Sequence, residues 1–562
     1  MNYFLRFSFF SLLALSLSTG HLTYAASVGD IATFNIDKNF DPQGRSQLQA
    51  QLLKVSDTLY IYADKEWLDN QSDGIQSQFS NTLNSLSTEF NDNIYPQLTS
   101  LFGSEPNPGI DKDDKITILV APMNSAESGY FREADEYDKL QVSYSNQREM
   151  LYISTDVIND FNKAKVVLAH EFTHLITFKQ KNINFNISEE TWLNEARADY
   201  SSRVMGYDNQ YEGSNLQHRV FDFLSNPNDS ISEWKGAKYD YAAVRLFTEY
   251  LVEHYGINVL VDSLHSQHIG IASINYALKQ SDSKEQFSDV FTNWVIASVL
   301  NDCSLKEEYC YTDPNLKNFR LLPSINFLPF TGDASLSVNN FTKNWSGNWI
   351  KFIGGQGDLH LNFSTTKGLN FVVPYIANNG QSSVNFMLVG KGGKGDLALP
   401  NFGKDYKSLI IMPILMSNDY QADYLEPIYP YTLSVAMQGT NTNNNQQDLI
   451  QQLLQKIADL KAEIARLQNQ RGSQTCRINK DLYLGIRNDA EVKCLQQFLA
   501  SQGSDIYPEG IISGNFLDLT RKAVVRFQEK YKNDILVPAG FSQGTGYAGP
   551  KTRAKINQIM DK

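Results

Sequence analysis

The chain has 562 residues, 42% hydrophobic and 20% charged, which excludes one compact domain and a disordered or fibrous chain. A net charge of −13, from 49 basic and 62 acidic residues, argues against a nucleic-acid partner. Four cysteines exclude a disulfide scaffold at this length but allow local bridges.

Residues 1–25 read as a secretory signal peptide. Arg6 opens it, Phe7 to Leu17 is almost wholly apolar, and Thr23-Tyr24-Ala25 offers small residues before a cut at Ala26. The apolar run of about 11 residues is too short to span a bilayer. No later segment reaches that length, so no membrane span is expected after signal cleavage. The alternative is a buried N-terminal helix.

Further along, Asp111, Asp113 and Asp114 precede a strand expected at Ile116–Val120. They read as a calcium loop or as a solvated acidic turn. Helical patterns dominate from Asp160 to Asp302. Within them, Val166 to Ile176 contains His170-Glu171-Phe172-Thr173-His174. On a helix, His170 and His174 stand one turn apart on one face, where two imidazoles can grip one ion. Glu171 lies beside them, placed to address a bound water. With 8 His in the whole chain, this spacing rarely arises by chance. The alternative is a buried helix with two satisfied histidines.

A catalytic zinc wants a third protein ligand and one open position. Thr191 to Asp199 supplies a candidate in Glu195. Ser188 is the expected N-cap of that helix, with Glu189 and Glu190 in its first turn. Asp199 shares the face of Glu195 at i, i+4 and is the candidate to accept a hydrogen bond from the outer nitrogen of a liganding His. Cys303 and Cys310, and Cys476 and Cys494, suggest two local bridges among three possible pairings.

His170-Glu171-x-x-His174, with Glu195 twenty-one residues later and Asp199 four further on, resembles the gluzincin zinc metallopeptidases. Gly129-Tyr130-Phe131, Trp192-Leu193-Asn194-Glu195 and the run Tyr241 to Phe247 look closest to the hyicolysin-like (M30) peptidases. The resemblance implies a thermolysin-like, two-lobed zincin catalytic domain over 26–320, holding one Zn²⁺ and cutting internal peptide bonds. Gluzincins usually supply a Tyr or His to the developing oxyanion. Tyr241 is the candidate by position in that pattern. Tyr239 and His218 are rivals, and each of the three reads equally as a packing aromatic or a surface His.

Residues 321–440 change character. Short β-forming runs at Trp349–Ile353, Leu359–Phe363 and Phe371–Val373 alternate with Gly, Asn and Ser turns, as in a β-sandwich. No catalytic cluster is evident there, so an accessory role is expected. Residues 441–475 read as a linker, in which Ile450, Leu453, Ile457, Leu460, Ile464 and Leu467 alternate by 3 and 4. That seam suits a short coiled coil, and so an oligomer, or a spacer helix.

Residues 476–562 hold 13 Lys/Arg against 9 Asp/Glu, opposite in sign to the whole chain. Leu495/Phe498/Leu499 and Ala523/Val524/Phe527 mark two amphipathic helices. Leu484-Gly485, Leu495-Gln496-x-Phe498-Leu499, Gly514-x-Phe516, Thr520-x-x-Ala523-Val524-x-x-Phe527-Gln528 and Gly549-Pro550-x-Thr552 resemble the small α-helical peptidoglycan-binding domain. Leu517 stands where that family commonly has Gly.

The expectation is a multidomain α+β protein, secreted and extracellular or wall-associated. Its leading function is a zinc endopeptidase acting on proteins or peptides, with peptidoglycan as the partner of the last domain. The alternatives are a peptidoglycan stem-peptide hydrolase and a non-catalytic wall-binding structural or adhesive protein.

Overall fold

The computed structural model describes residues 26–124, 128–329, 333–380, 382–417, 427–438, 477–486, 489–503, 505–508, 510–539 and 541–560. The signal peptide, the heptad seam and Cys476 lie outside the described residues. Two compact units are present, within Met1–Asn441 and within Thr442–Lys562. Helices and several sheets mix throughout the first, so the chain is α+β and multidomain.

The first unit begins with strands β1 (Ile31–Asn35), β2 (Gln47–Val55), β3 (Leu59–Asp64), β4 (Ile116–Ala121), β5 (Gly129–Phe131) and β6 (Met150–Ser154). They form one sheet in the order β1-β2-β3-β4-β6-β5. β3, β4 and β6 run parallel at its centre, and β5 is an antiparallel edge strand on β6. The expected strand at Ile116–Val120 is β4. The three central strands are buried along their whole length, because both sheet faces are covered. Tyr60, Tyr62, Leu119 and Tyr152 pack on one face. Ile61, Ile118, Val120 and Ile153 pack on the other, against helices.

The helices are α1 (Lys65–Asp69), α2 (Asp73–Glu89), α3 (Tyr95–Phe102), α4 (Thr155–Ile158), α5 (Phe161–Phe178), α6 (Thr191–Val204), α7 (Asn215–Ser225), α8 (Lys238–Tyr255), α9 (Asn258–Leu264), α10 (Gly270–Gln280) and α11 (Phe287–Leu300). α5 starts where the Asp160 side chain accepts hydrogen bonds from the Asn162 and Lys163 amides. Phe172 on α5 packs against Phe90 and Tyr95, which locks the helix to the α2–α3 layer.

The start of α6 differs from expectation. Ser188 does not cap it: the helix begins at Thr191 after an extended Glu190, and Ser188 Oγ accepts from Asn182 instead. The reason is Glu189. Its buried carboxylate lies 2.9 Å from Arg197 and 3.7 Å from Lys181, and that ion pair holds the preceding segment out of the helix.

Beyond Cys303–Cys310, which are joined by a disulfide, the chain turns to β-structure. The strands are β7 (Ser324–Leu328), β8 (Ala334–Thr342), β9 (Ile350–Gly354), β10 (Gly357–Thr365), β11 (Phe371–Asn378), β12 (Ser382–Met387), β13 (Lys394–Phe402), β14 (Ser408–Ile411), β15 (Ile414–Leu415) and β16 (Tyr429–Gln438). One sheet has the order β13-β10-β16-β8 and the other β12-β11-β14-β9-β7, with β15 added on β11. Leu359, Leu361, Phe363, Leu433 and Val435 from the first share a core with Phe352, Val373, Leu409 and Ile411 from the second. Trp345, Trp349, Met412 and Ile414 instead join the helical core, and Trp349 Nε1 donates to Val295 O at 2.9 Å.

The second unit is small and helical. Helices Ala490–Ser501, Asp518–Lys530 and Pro550–Met560 enclose Leu495, Phe498, Leu499, Ala523, Val524 and Phe527. Leu517 has φ −101°, ordinary for any side chain, whereas Gly514 sits at φ 80°. Cys494 is disulfide-bonded.

Candidate metal centre

α5 and α6 pack together and bring three ligand-bearing side chains to one point. His170 Nε2 and His174 Nε2 lie 3.1 Å apart. Glu195 Oε2 is 3.2 Å from His170 Nε2, and Glu195 Oε1 is 3.7 Å from His174 Nε2. Among the described residues this is a group able to hold a metal ion.

The chemistry of the donors fits a tetrahedral ion. Ligand atoms about 2.0–2.2 Å from zinc stand about 3.3–3.6 Å from one another. The two imidazole nitrogens and the nearest Glu195 oxygen to each stand close to that edge, and one ligand atom from each residue can be taken with all three within 4.8 Å of one another. The Glu195 carboxylate is mostly buried with the two imidazole nitrogens as its neighbours, so the three groups face one another as ligands of one cation would. Asn194 Oδ1 lies 3.0 Å from His174 Nδ1, so that nitrogen carries the proton and Nε2 presents its lone pair.

Charge around the group is uneven. Burial opposes protonation of both imidazoles. For His170 the hydrogen bond to Glu195, then the charges of Glu171, Glu195 and Asp199, outweigh burial and raise the pKa to about 9. For His174 burial wins and the pKa falls. Burial favours a neutral Glu195, but the two histidines hold its pKa below the ordinary value. A proton and a divalent cation therefore compete for the same three atoms.

Asp199 does not take the role expected of it. Its carboxylate accepts from Arg219 at 2.7 Å, Asn215 at 3.1 Å and Arg245 at 3.3 Å. Against burial, these two arginines hold its pKa far below the usual range. The hydrogen bond to an outer histidine nitrogen comes from Asn194, the neighbour of Glu195 in sequence. Arg245 is fully buried and also binds Asp208 at 2.6 Å and Glu249 at 2.7 Å. No local spacing flags the pairing of Arg219 or Arg245 with Asp199, since these partners lie 20 and 46 residues away in sequence.

His170, Glu171, Asp199, His218, Arg219 and Tyr241 line one cleft of about 1140 Å³. Ser128 and Gly129, at the start of edge strand β5, form its far wall. A Cβ on Gly129 would stand 2.8 Å from both Tyr152 O and Val167 Cγ1, so glycine lets the strand lie this close to β6 and α5. Tyr241, in the first turn of α8, packs edge-on against Trp234, and its ring lies 4.7 Å from the Arg219 guanidinium. Burial, then the charges of Glu195 and Glu171, push its hydroxyl pKa up, so it stays a donor. Exposed His218 shares the cleft, while the Tyr239 ring lies 5.0 Å from the Lys238 ammonium.

The acidic turn is spent internally. Asp111 Oδ1 accepts from the Asp113 amide at 2.9 Å, and Asp113 accepts from the Lys115 amide and the Tyr60 hydroxyl. These are turn contacts, not a gathered set of cation ligands. Among the described residues no helix is long and apolar enough to cross a membrane.

No family model matches the chain. No curated protein matches it either. Among solved structures, the chain is similar to PliG from Aeromonas hydrophila, a periplasmic inhibitor of g-type lysozyme, at 15% identity and TM-score 0.15 over 21% of this chain and 100% of that one. It is also similar to a pre-peptidase C-terminal domain of a Bacillus anthracis collagenase, at 8% identity and TM-score 0.14 over 20% and 96%. A third is CorA, a surface-associated copper-binding protein of Methylomicrobium album BG8, at 11% identity and TM-score 0.14 over 21% and 100%. At these TM-scores the likenesses carry no argument.

Proposed function

We propose that the protein is a secreted zinc-dependent endopeptidase of the gluzincin type, hyicolysin-like in its catalytic part and held at the bacterial cell wall by its C-terminal module. The observation that carries this reading is the meeting of His170, His174 and Glu195, with His170 and Glu171 lining the cleft beside them. His170, His174 and Glu195 would hold the ion, and Asn194 would keep His174 in the liganding tautomer. Bound zinc supplies Lewis acidity toward water and a peptide carbonyl.

The rest is done by the chain. Glu171 takes a proton from the attacking water and passes it to the leaving amine. Tyr241 donates its hydroxyl proton in a hydrogen bond to the oxygen of the scissile carbonyl as charge develops there. Buried Asp199, clamped by Arg219 and Arg245, adds negative charge behind His170 and strengthens it as a ligand. The sheet above the cleft and the helices below it would be the two lobes of a zincin.

Metal analysis with a casein assay tests the proposal. The purified chain should hold about one zinc, and a chelator should abolish cleavage. Glu171→Gln should keep the metal and lose at least ~10²-fold in turnover. A chain that binds no zinc, or a Glu171→Gln variant with full activity, overturns it. Release from purified sacculi without casein cleavage would make stem peptides the substrate.

A further inference from the structure

The second unit repeats itself. Buried Gln496 accepts from the Ser513 and Gly514 amides at 2.8 Å each and donates to Asn515 O at 2.8 Å and Thr520 Oγ1 at 2.9 Å. Thirty-two residues on in the sequence, buried Gln528 accepts from the Gly546 amide at 2.9 Å and donates to Tyr547 O at 2.8 Å and Thr552 Oγ1 at 2.9 Å. Each glutamine thus clamps one glycine-containing loop against a helix. The loops are held by side chains from the core, so what they display is preorganised.

The second loop displays Tyr547. Its ring lies 5.9 Å from that of Tyr483, with the two planes only 18° apart. A bridge between Leu482 and Ala548 sets the pair side by side. The Tyr547 hydroxyl donates to Asp481 at 2.7 Å, and Arg553 holds the same carboxylate at 2.8 Å. Both rings are nevertheless open to solvent, Tyr483 at 51% and Tyr547 at 43%. Exposed Leu484 follows Tyr483 in sequence, and exposed Leu517 follows Phe516, whose carbonyl accepts from the Gly485 amide. The Arg521 stem lies against Gly546, so a cation flanks the same loop. An immobilised aromatic pair that remains exposed marks a binding surface.

We propose that Tyr483 and Tyr547 form a platform that stacks on the sugar rings of a glycan strand, the saccharide backbone of peptidoglycan. This rests on the wall-targeting reading above. Sugar rings present flat C–H faces that suit aromatic faces, and their hydroxyls suit the polar rim. The unit carries 13 Lys/Arg against 9 Asp/Glu between residues 476 and 562, which matches a polymer whose stem peptides set carboxylates beside the strand. Leu484 and Leu517 extend the apolar shelf beside the rings.

The test is co-sedimentation of the full chain with purified sacculi. Tyr483→Ala and Tyr547→Ala should each weaken retention about tenfold, as loss of one aromatic anchor does. Both variants should cleave soluble casein as the parent does. Tyr547→Phe, which keeps the ring, should retain most binding. In the unaltered chain, sacculi should protect both tyrosines from nitration by tetranitromethane, mapped by mass spectrometry. Glycan strands stripped of their stem peptides by an amidase should compete and free stem peptides should not. Wild-type retention in the Tyr483→Ala/Tyr547→Ala chain, or unprotected tyrosines on bound chain, overturns the platform. If a chain lacking 476–562 sediments as well as the full one, the wall-targeting reading itself falls.

Discussion

Tyr241 and His218 face the same cleft as Glu171, and Tyr241 is held in place by the Trp234 ring and the Arg219 guanidinium. Tyr241→Phe preserves both contacts and removes one hydroxyl. It should lower kcat by about 10²-fold with KM nearly unchanged, the signature of an interaction made only in the transition state. His218→Ala should change kcat by less than about threefold. Steady-state kinetics on one peptide substrate decides between them. The opposite ranking would make His218 the donor. At this scale the motif residues were legible because helix pitch alone sets His170 and His174 on one face. Asn194 was not singled out, although it directly precedes Glu195, because its role depends on where the α5 imidazole ends up.

α6 and α8 are joined through Arg245, whose guanidinium contacts Asp199, Ser202, Asp208 and Glu249 with no exposure to water. Replacing it with Leu takes one buried cationic partner from three buried carboxylates. The expected loss is about 3–5 kcal/mol in denaturant unfolding. A loss under about 1 kcal/mol would mean that those carboxylates find other partners or take up protons.

A second buried cluster sits where the segment after β5 meets the start of β6. Burial raises Glu149 to about 7, while burial and the Glu149 charge push Glu136 well above its ordinary value. For a carboxyl whose pKa is raised on folding, stability is full below the unfolded value, near 4.5. It is lost as pH climbs to about 7, because the unfolded chain releases its proton first. Glu149 should therefore weaken the fold by about 3 kcal/mol between pH ~4.5 and ~7. Melting temperatures measured at pH 5 and pH 8 should differ less in Glu149→Gln than in the parent. An equal difference in both would refute this.

On the scale of the whole molecule, the helix-rich and sheet-rich parts of the first unit are not independent. Trp345 and Trp349 lie in the helical core, Ser230 Oγ donates to Asn344 O, and Ser346 Oγ donates to Asn228 O. A chain ending at residue 320 should expose that core and unfold or aggregate, whereas one ending at 441 should keep the parent melting transition for this unit. Thermal denaturation of both chains checks this. A stable, active chain of 26–320 would show that the sheets are dispensable.

What could be deduced from the sequence alone was whatever backbone geometry repeats locally. A 3.6-residue pitch aligned the two histidines with Glu171 alongside, short β-forming runs between turn residues marked β9 to β11, and amphipathic spacing marked the helices of the second unit. Tertiary structure alone settled which distant groups meet. Glu195 reaches the histidines only after an irregular turn held by the Glu189–Arg197 pair, and Arg219 and Arg245, rather than a histidine, claim Asp199. Such pairings rest on burial and charge compensation summed over the packed interior, which no short-range period encodes.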